Sequence, residues 1–288
     1  GSYYWLDIEN INPESSITYQ YFVDGTIKVA DPYSTLVLDE FNDGFISPSV
    51  YPNLPDFPVQ TSGIVSYFDM GEDIYNWTDA DFEKPNQERL NIYELFMRDF
   101  LNDHSYVSLK DTLTYLKSLG INAIELMPVQ EFEGNDSWGY NPSYHMALDK
   151  YYGNRERFKD VINTAHEMGI SVIVDVVFNH AFSQNPYFQL YSNNFEPLPF
   201  SPFFNQQPRH PFNVGYDFNH ESEATKAYVK QICKYWIEEF HLDGFRFDLS
   251  KGFTQKFSTD DGLFAQYDEG RIATLKDYAD FIWDIDSD

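Results

Sequence analysis

The sequence predicts an α/β protein built on a parallel sheet and preceded by a short β-rich segment. Four short apolar runs, at 90–97, 121–129, 170–178 and 244–250, alternate with segments of helical periodicity. Each run is nearly continuous in hydrophobic residues, the pattern of a strand covered on both faces. Polar residues of reactive type gather in or just after these runs: the stretch 138–142 (WGYNP), Asn179 with His180, and Arg246 with Asp248. Both a (β/α) barrel and an open doubly wound sheet place their ligands at the C-terminal ends of such strands. No Gly-rich phosphate loop follows any of the four, which counts against a nucleotide site.

Taken in order, residues 1–60 read as a β-rich domain remnant. ITYQYFVDGTIKVADPY (17–33) is two strand-like runs joined at Asp24-Gly25, a hairpin signal. Residues 61–89, rich in Pro, Asn and Asp, read as a connector, and 90–288 as the α/β unit. After the first strand, SLKDTLTYLKSLG (108–120) sets Leu109, Leu113, Leu116 and Leu119 on one helical stripe, with Ser108 as cap and Gly120 as stop. In 154–169, Phe158, Val161, Ile162, Ala165 and Met168 form a second stripe. Helical patterns recur at 221–240 and 271–283. The segment 181–220, rich in Phe and Pro, is inserted between the third strand and the third helix, where it would wall one side of a cleft.

Composition narrows the function. The 288 residues are 42% hydrophobic and 23% charged, a globular balance, and no apolar run reaches the ~18 residues of a membrane span. One cysteine excludes an internal disulfide. A formal charge of −27, from 46 acidic against 19 basic residues, repels nucleic acid and anionic lipid and favours a neutral or cationic ligand. The 22 Tyr and 26 Phe could supply flat faces for sugar rings, or simply an aromatic-rich core.

GFRFDLSK (244–251) carries the chemistry. Arg246 and Asp248 lie two apart in a strand, so both point to one face, and a buried charge is costly unless paired or used. A guanidinium beside it favours the ionised carboxylate. An ionised, positioned carboxylate is what a retaining glycosidase uses as nucleophile, with a protonated carboxyl about 5 Å away as acid. A plain buried ion pair is the other reading of that spacing.

DVVFNH (175–180) and GFRFDLSK resemble, in order and spacing, the first two signature regions of the α-amylase family, glycoside hydrolase family 13. WGYNPSYH (138–145) is similar to the family's segment after the second barrel strand, and NVGYDFNHES (213–222) to its motif before the third helix. The 17–33 hairpin resembles the closing strands of family 48 carbohydrate-binding modules. The resemblance implies the N-terminal half of a (β/α)8 TIM barrel after a small β-sandwich-like remnant. It implies an enzyme acting on α-linked glucans such as starch and maltooligosaccharides, either a retaining hydrolase or a transglycosylase such as a branching enzyme. By position, Asp248 would be the nucleophile and Arg246 its partner, with Asp175 bracing Arg246. Tyr140 would stack under the sugar, His180 would hydrogen-bond it, Lys251 would touch it on the leaving side, and Trp138 would stand nearby. Asn179 and Asp217 match positions that hold a structural calcium in many members, although the histidine that often completes that site is Gly252 here.

The family's acid, a glutamate after the fifth strand, has no counterpart here, and Glu125, Glu131 and Glu133 do not match it. The expectation is therefore a chain inactive alone, completed by the second half of the barrel or by another copy, or else a non-catalytic glucan-binding fragment. The resemblance also implies an extracytoplasmic location, periplasmic, cell-surface or secreted.

Overall fold

A computed structural model describes residues 7–9, 11–12 and 15–287, so the start of the β-rich remnant lies outside the described residues. Among the described residues the N-terminal region has five strands: β1 (Ser16–Tyr19), β2 (Tyr21–Val23), β3 (Ile27–Val29), β4 (Val37–Asp39) and β5 (Ile64–Asp69). β2 and β3 form the expected hairpin, with Asp24 (φ 51°) and Gly25 (φ 66°) in the left-handed turn. β1, β5 and β4 make an antiparallel sheet in that order. The β region therefore runs to residue 69 rather than 60, because the β-formers of IVSYFD outweigh the turn-rich residues around them.

β6 (Ile92–Leu95) opens the α/β unit and leads through the single turn α1 (Met97–Phe100) to α2 (Tyr106–Ser118). Then come β7 (Ala123–Leu126), the hairpin of β8 (Gln130–Phe132) and β9 (Pro142–Leu148), α3 (Arg155–Glu167) and β10 (Ser171–Val176). The excursion after β10 holds β11 (His180–Ala181), α4 (Pro186–Leu190), the small pair β12 (Ser192–Asn193) and β13 (Glu196–Pro197), and β14 (Tyr216–Asp217), which pairs back on β11. α5 (Glu223–Phe240), β15 (Gly244–Phe247), α6 (Asp261–Phe264) and α7 (Glu269–Ile285) follow. No described helix is long and apolar enough to cross a membrane.

β6, β7, β10 and β15 pair side by side, all parallel. One face is covered by the helices through Leu109, Leu113, Leu116, Phe158, Val161, Ile162, Trp236 and Phe240, all fully buried. The cap of α2 is Ser105, whose Oγ accepts from the Ser108 amide at 3.2 Å, so the helix starts one turn earlier than Ser108 suggested and also buries Tyr106. Leu119 falls beyond the last turn, where Gly120 (φ 82°) redirects the chain, and is exposed.

The connector is docked rather than loose. Its polar residues are spent on α3: Tyr75 Oη donates to Asp160 at 2.8 Å, and the Thr78 amide donates to Asn163 Oδ1 at 2.8 Å. Buried His166 lies between two carboxylates, Nδ1 2.9 Å from Asp79 and Nε2 2.9 Å from Asp243, with Phe82 stacked on its ring. Burial disfavours the imidazolium, but Asp243 and Asp79 outweigh it and raise the pKa. A raised histidine pKa gives stability that is complete below the unfolded value of ~6.5 and is lost as pH rises through the folded value. Unfolding measured between pH 6 and 9 should therefore show a decline that His166→Gln removes; equal pH profiles would exclude this clamp.

Candidate active site

The helix-free face of the sheet carries charge. Register aligns Glu94 with Glu125 and Asp175 with Arg246, and alternation puts Glu125, Asp175 and Arg246 on the same side. Arg246 Nη1 donates to both Asp175 oxygens, at 3.1 and 2.9 Å, and to Asp248 Oδ1 at 2.5 Å. One guanidinium thus ties the C-terminal ends of two adjacent strands together. Tyr140 Oη donates to Asp175 Oδ2 at 2.8 Å, which brings the loop after β8 over the same point.

The pair is less buried than the sequence suggested. Asp175 is fully enclosed, whereas the Arg246 side chain is 43% exposed and that of Asp248 20%. β15 has a strand neighbour on one side only among the described residues, so its charged face is open. Burial pushes the Asp175 carboxyl up to about 6 against the opposing pull of Tyr140 and Arg246, and burial next to Asp175 raises the Tyr140 hydroxyl. Directly after Asp248, Leu249 takes a left-handed conformation (φ 43°, ψ 35°), turning the chain off the strand within one residue. Such a φ is uncommon for a residue with a bulky side chain.

The other expected residues divide. Trp138 is exposed at the rim, edge-on to Phe96 at 6.3 Å. Lys251 sets its ammonium 5.2 Å from the Phe264 ring. His180, expected to meet the ligand directly, is 1% exposed with both nitrogens engaged. Its Nε2 donates to the Tyr140 carbonyl at 2.8 Å, and its Nδ1 accepts from Asn179 Nδ2 at 3.2 Å. It is tied to the backbone of the loop that presents Tyr140. Of the glutamates, Glu131 is bound to Lys150, Glu133 accepts from Ser183 and Gln184, and Glu125 faces Glu94 and Arg246 lower on the sheet. Burial and then Glu94 raise the Glu125 carboxyl, while Arg246 lowers it.

Most aromatics of 181–220 pack on each other or on the core. Tyr187 stacks on Phe203 at 3.7 Å, Phe188 on Tyr216 at 3.5 Å and Phe204 on Phe218 at 4.4 Å. Phe195, Phe200 and Phe212 remain exposed.

Of the proposed calcium pair, Asn179 Oδ1 and Asp217 Oδ2 are occupied by protein donors, whereas Asp217 Oδ1 is buried with no hydrogen-bond partner; calcium prefers 6–8 oxygen ligands at about 2.3–2.6 Å. Asn179 Oδ1 accepts a hydrogen bond from His210 Nε2 at 2.9 Å. Asp217 Oδ2 is taken by Asn205 Nδ2 at 2.8 Å and the Arg209 amide at 3.0 Å. Its Oδ1 stands 3.7 Å from the same His210 nitrogen. Among the described residues no group of three or more His, Cys, Asp or Glu is arranged for a metal ion. His210 had no signal of its own in the sequence; the missing side chain at Gly252 was the one hint that something else fills the space.

A four-stranded parallel sheet with charged side chains at its strand ends is consistent with part of a (β/α) barrel. Residues 106–215 match the α-amylase catalytic domain, and the chain belongs to the α-amylase family. It is 29% identical over 247 residues to a malto-oligosyltrehalose trehalohydrolase of Saccharolobus solfataricus, covering 85% of this chain and 38% of the relative. It is 30% identical over 268 residues to chloroplastic isoamylase 1 of Oryza sativa subsp. japonica, covering 82% and 32%. The crystal structure of pullulanase type I from Bacillus subtilis complexed with maltose superposes with a TM-score of 0.64 at 23% identity, over 90% of this chain and 36% of that one. That likeness establishes the fold. The chain spans about a third of the length of these relatives.

Proposed function

We propose that this chain carries the nucleophile half of a retaining glycosidase site for α-linked glucans. The observation that carries the reading is the Asp175–Arg246–Asp248 row, with one guanidinium holding a strand-end carboxylate in a partly open position. The names of the relatives, which include a pullulanase and isoamylases, support the substrate class. Arg246 holds Asp248 Oδ1, leaving Oδ2 to attack the anomeric carbon. Tyr140 offers its ring as platform, Trp138 and Lys251 stand at the rim, and His180 fixes the Tyr140 backbone from behind. No described carboxyl other than Asp175 and Asp248 is bonded into this row, and Asp175 is committed to Arg246 and Tyr140. The chain by itself is therefore expected to release no reducing ends from maltooligosaccharides.

A substrate whose leaving group needs no proton isolates the nucleophile. With α-maltotriosyl fluoride, an Asp248 oxygen forms the ester bond to the anomeric carbon as the C–F bond breaks, and water later cleaves the ester. Slow fluoride release is expected, with one maltotriosyl group added to the peptide containing Asp248, and Asp248→Asn should abolish both. Equal fluoride release from the variant would refute Asp248 as nucleophile. Reducing ends from a maltooligosaccharide that vanish in Asp248→Asn would show that this chain supplies an acid after all.

A further inference from the structure

We infer that the imidazole of His210 takes the place that the family resemblance gives to a calcium ion, and that it acts as a positioning residue for Asn179 and, through it, His180. The hydrogen bonds run in one direction only. The Tyr140 carbonyl can only accept, so His180 must donate from Nε2, and its Nδ1 must then accept. The Asn179 amide therefore turns Nδ2 toward His180 at 3.2 Å and Oδ1 toward His210, whose Nε2 donates to it at 2.9 Å. A cation on Asn179 Oδ1 would fix the amide in the same sense; here an N–H does so. The ring is 4% exposed and stacks on Phe264 at 4.9 Å with an interplanar angle of 12°.

Gly252 is what lets these groups meet. A Cβ there would lie 1.9 Å from Asn179 Oδ1 and 2.5 Å from His210 Nε2. The loop bearing His210 is also anchored by the Arg209 amide on Asp217, Arg209 Nε on Gln255 Oε1 at 3.1 Å, and the Ser258 amide on the Arg209 carbonyl at 2.9 Å. The Asn179 amide is thus oriented from the 181–220 excursion, while the Tyr140 carbonyl sets the His180 tautomer. Its use in catalysis rests on the glucan reading, so the tests below read metal binding and tautomer, which stand apart from turnover.

Thermal unfolding of the chain should be the same after dialysis against EDTA, untreated, and with millimolar calcium chloride. A native-state site filled about a hundredfold above its Kd would instead shift the midpoint by several degrees. Long-range 1H–15N correlation should report both His180 and His210 as Nε2–H tautomers in the wild type, and the Asn179 side-chain 1H–15N signals should shift in His210→Ala and return in His210→Gln, whose amide can donate. A midpoint lowered by EDTA or raised by calcium overturns the inference, as do Asn179 side-chain signals unchanged in His210→Ala or a His210 with no proton on Nε2. Should the alanine variant not fold, the wild-type metal series and the glutamine variant decide.

Discussion

Lys150→Met is expected to destabilise the protein by about 3–5 kcal/mol, the range for removing one partner of a buried charge cluster. The Lys150 side chain is 3% exposed and lies against Glu131 and Asp43, each 9% exposed, with the Asp43 contact at 3.4 Å. Burial works against the ammonium, yet Glu131, Asp43 and Asp149 together raise its pKa, so it is charged throughout the accessible range. Burial raises all three carboxyls, Asp149 to about 7. Without the ammonium they would take up protons in the folded state, so the variant's stability should fall as pH rises from 5 to 8. Asp43 lies between β4 and β5 while Glu131 and Lys150 belong to the α/β unit, so the N-terminal sheet should loosen with the rest. A loss below about 1 kcal/mol, equal at both pH values, would mean that water reaches the cluster.

Asp175→Asn should separate activity from stability. The wild-type carboxylate accepts from Arg246 twice and from Tyr140 once. Bonds to charged groups contribute roughly 1.5–3 kcal/mol each, so a loosened Arg246 should slow fluoride release from α-maltotriosyl fluoride by roughly 10- to 100-fold. Stability should move the other way with pH. The folded carboxyl titrates at about 6 against an unfolded value of 3.8, so the native state binds more protons between those values and loses stability as pH rises across them. The asparagine has no such slope. Relative to wild type, the variant should therefore gain from pH 4 to pH 7. Unchanged fluoride release, or parallel stability profiles, would remove Asp175 from the role given to it.

The alternation of apolar runs and helical stripes was legible because it repeats a local pattern: Leu109, Leu113 and Leu116 are buried as their spacing requires. Arg246 and Asp248 were legible for the same reason, since a period of two needs no tertiary knowledge. Ser105 and Ser108 are three residues apart on similar flanks, and only the burial of Tyr106 chooses between them as cap. β5 was missed because its partners come from far earlier in the chain, Tyr19 pairing with Ser66 and Ser16 with Asp69, and from beyond a Pro-rich stretch. Contacts across such distances hid the rest of the site as well. Asp79 meets His166 87 residues on, and Asn179 meets His210 across an irregular excursion with no period to read. The exposure of Arg246 depends on what lies beside β15, which no local pattern encodes.

Leu249 gives the site a further property. A left-handed residue costs roughly 1–2 kcal/mol for an L side chain. Here that cost falls at the one residue between a hydrogen-bonded strand and a loop. The Asp248 amide is already fixed to the Val176 carbonyl at 3.0 Å, so the backbone cannot relax by sliding the strand. The carboxylate is thus held on the upstream side of the turn: the downstream loop can change its length or its residues while the aim of Asp248 stays where β15 and Arg246 set it.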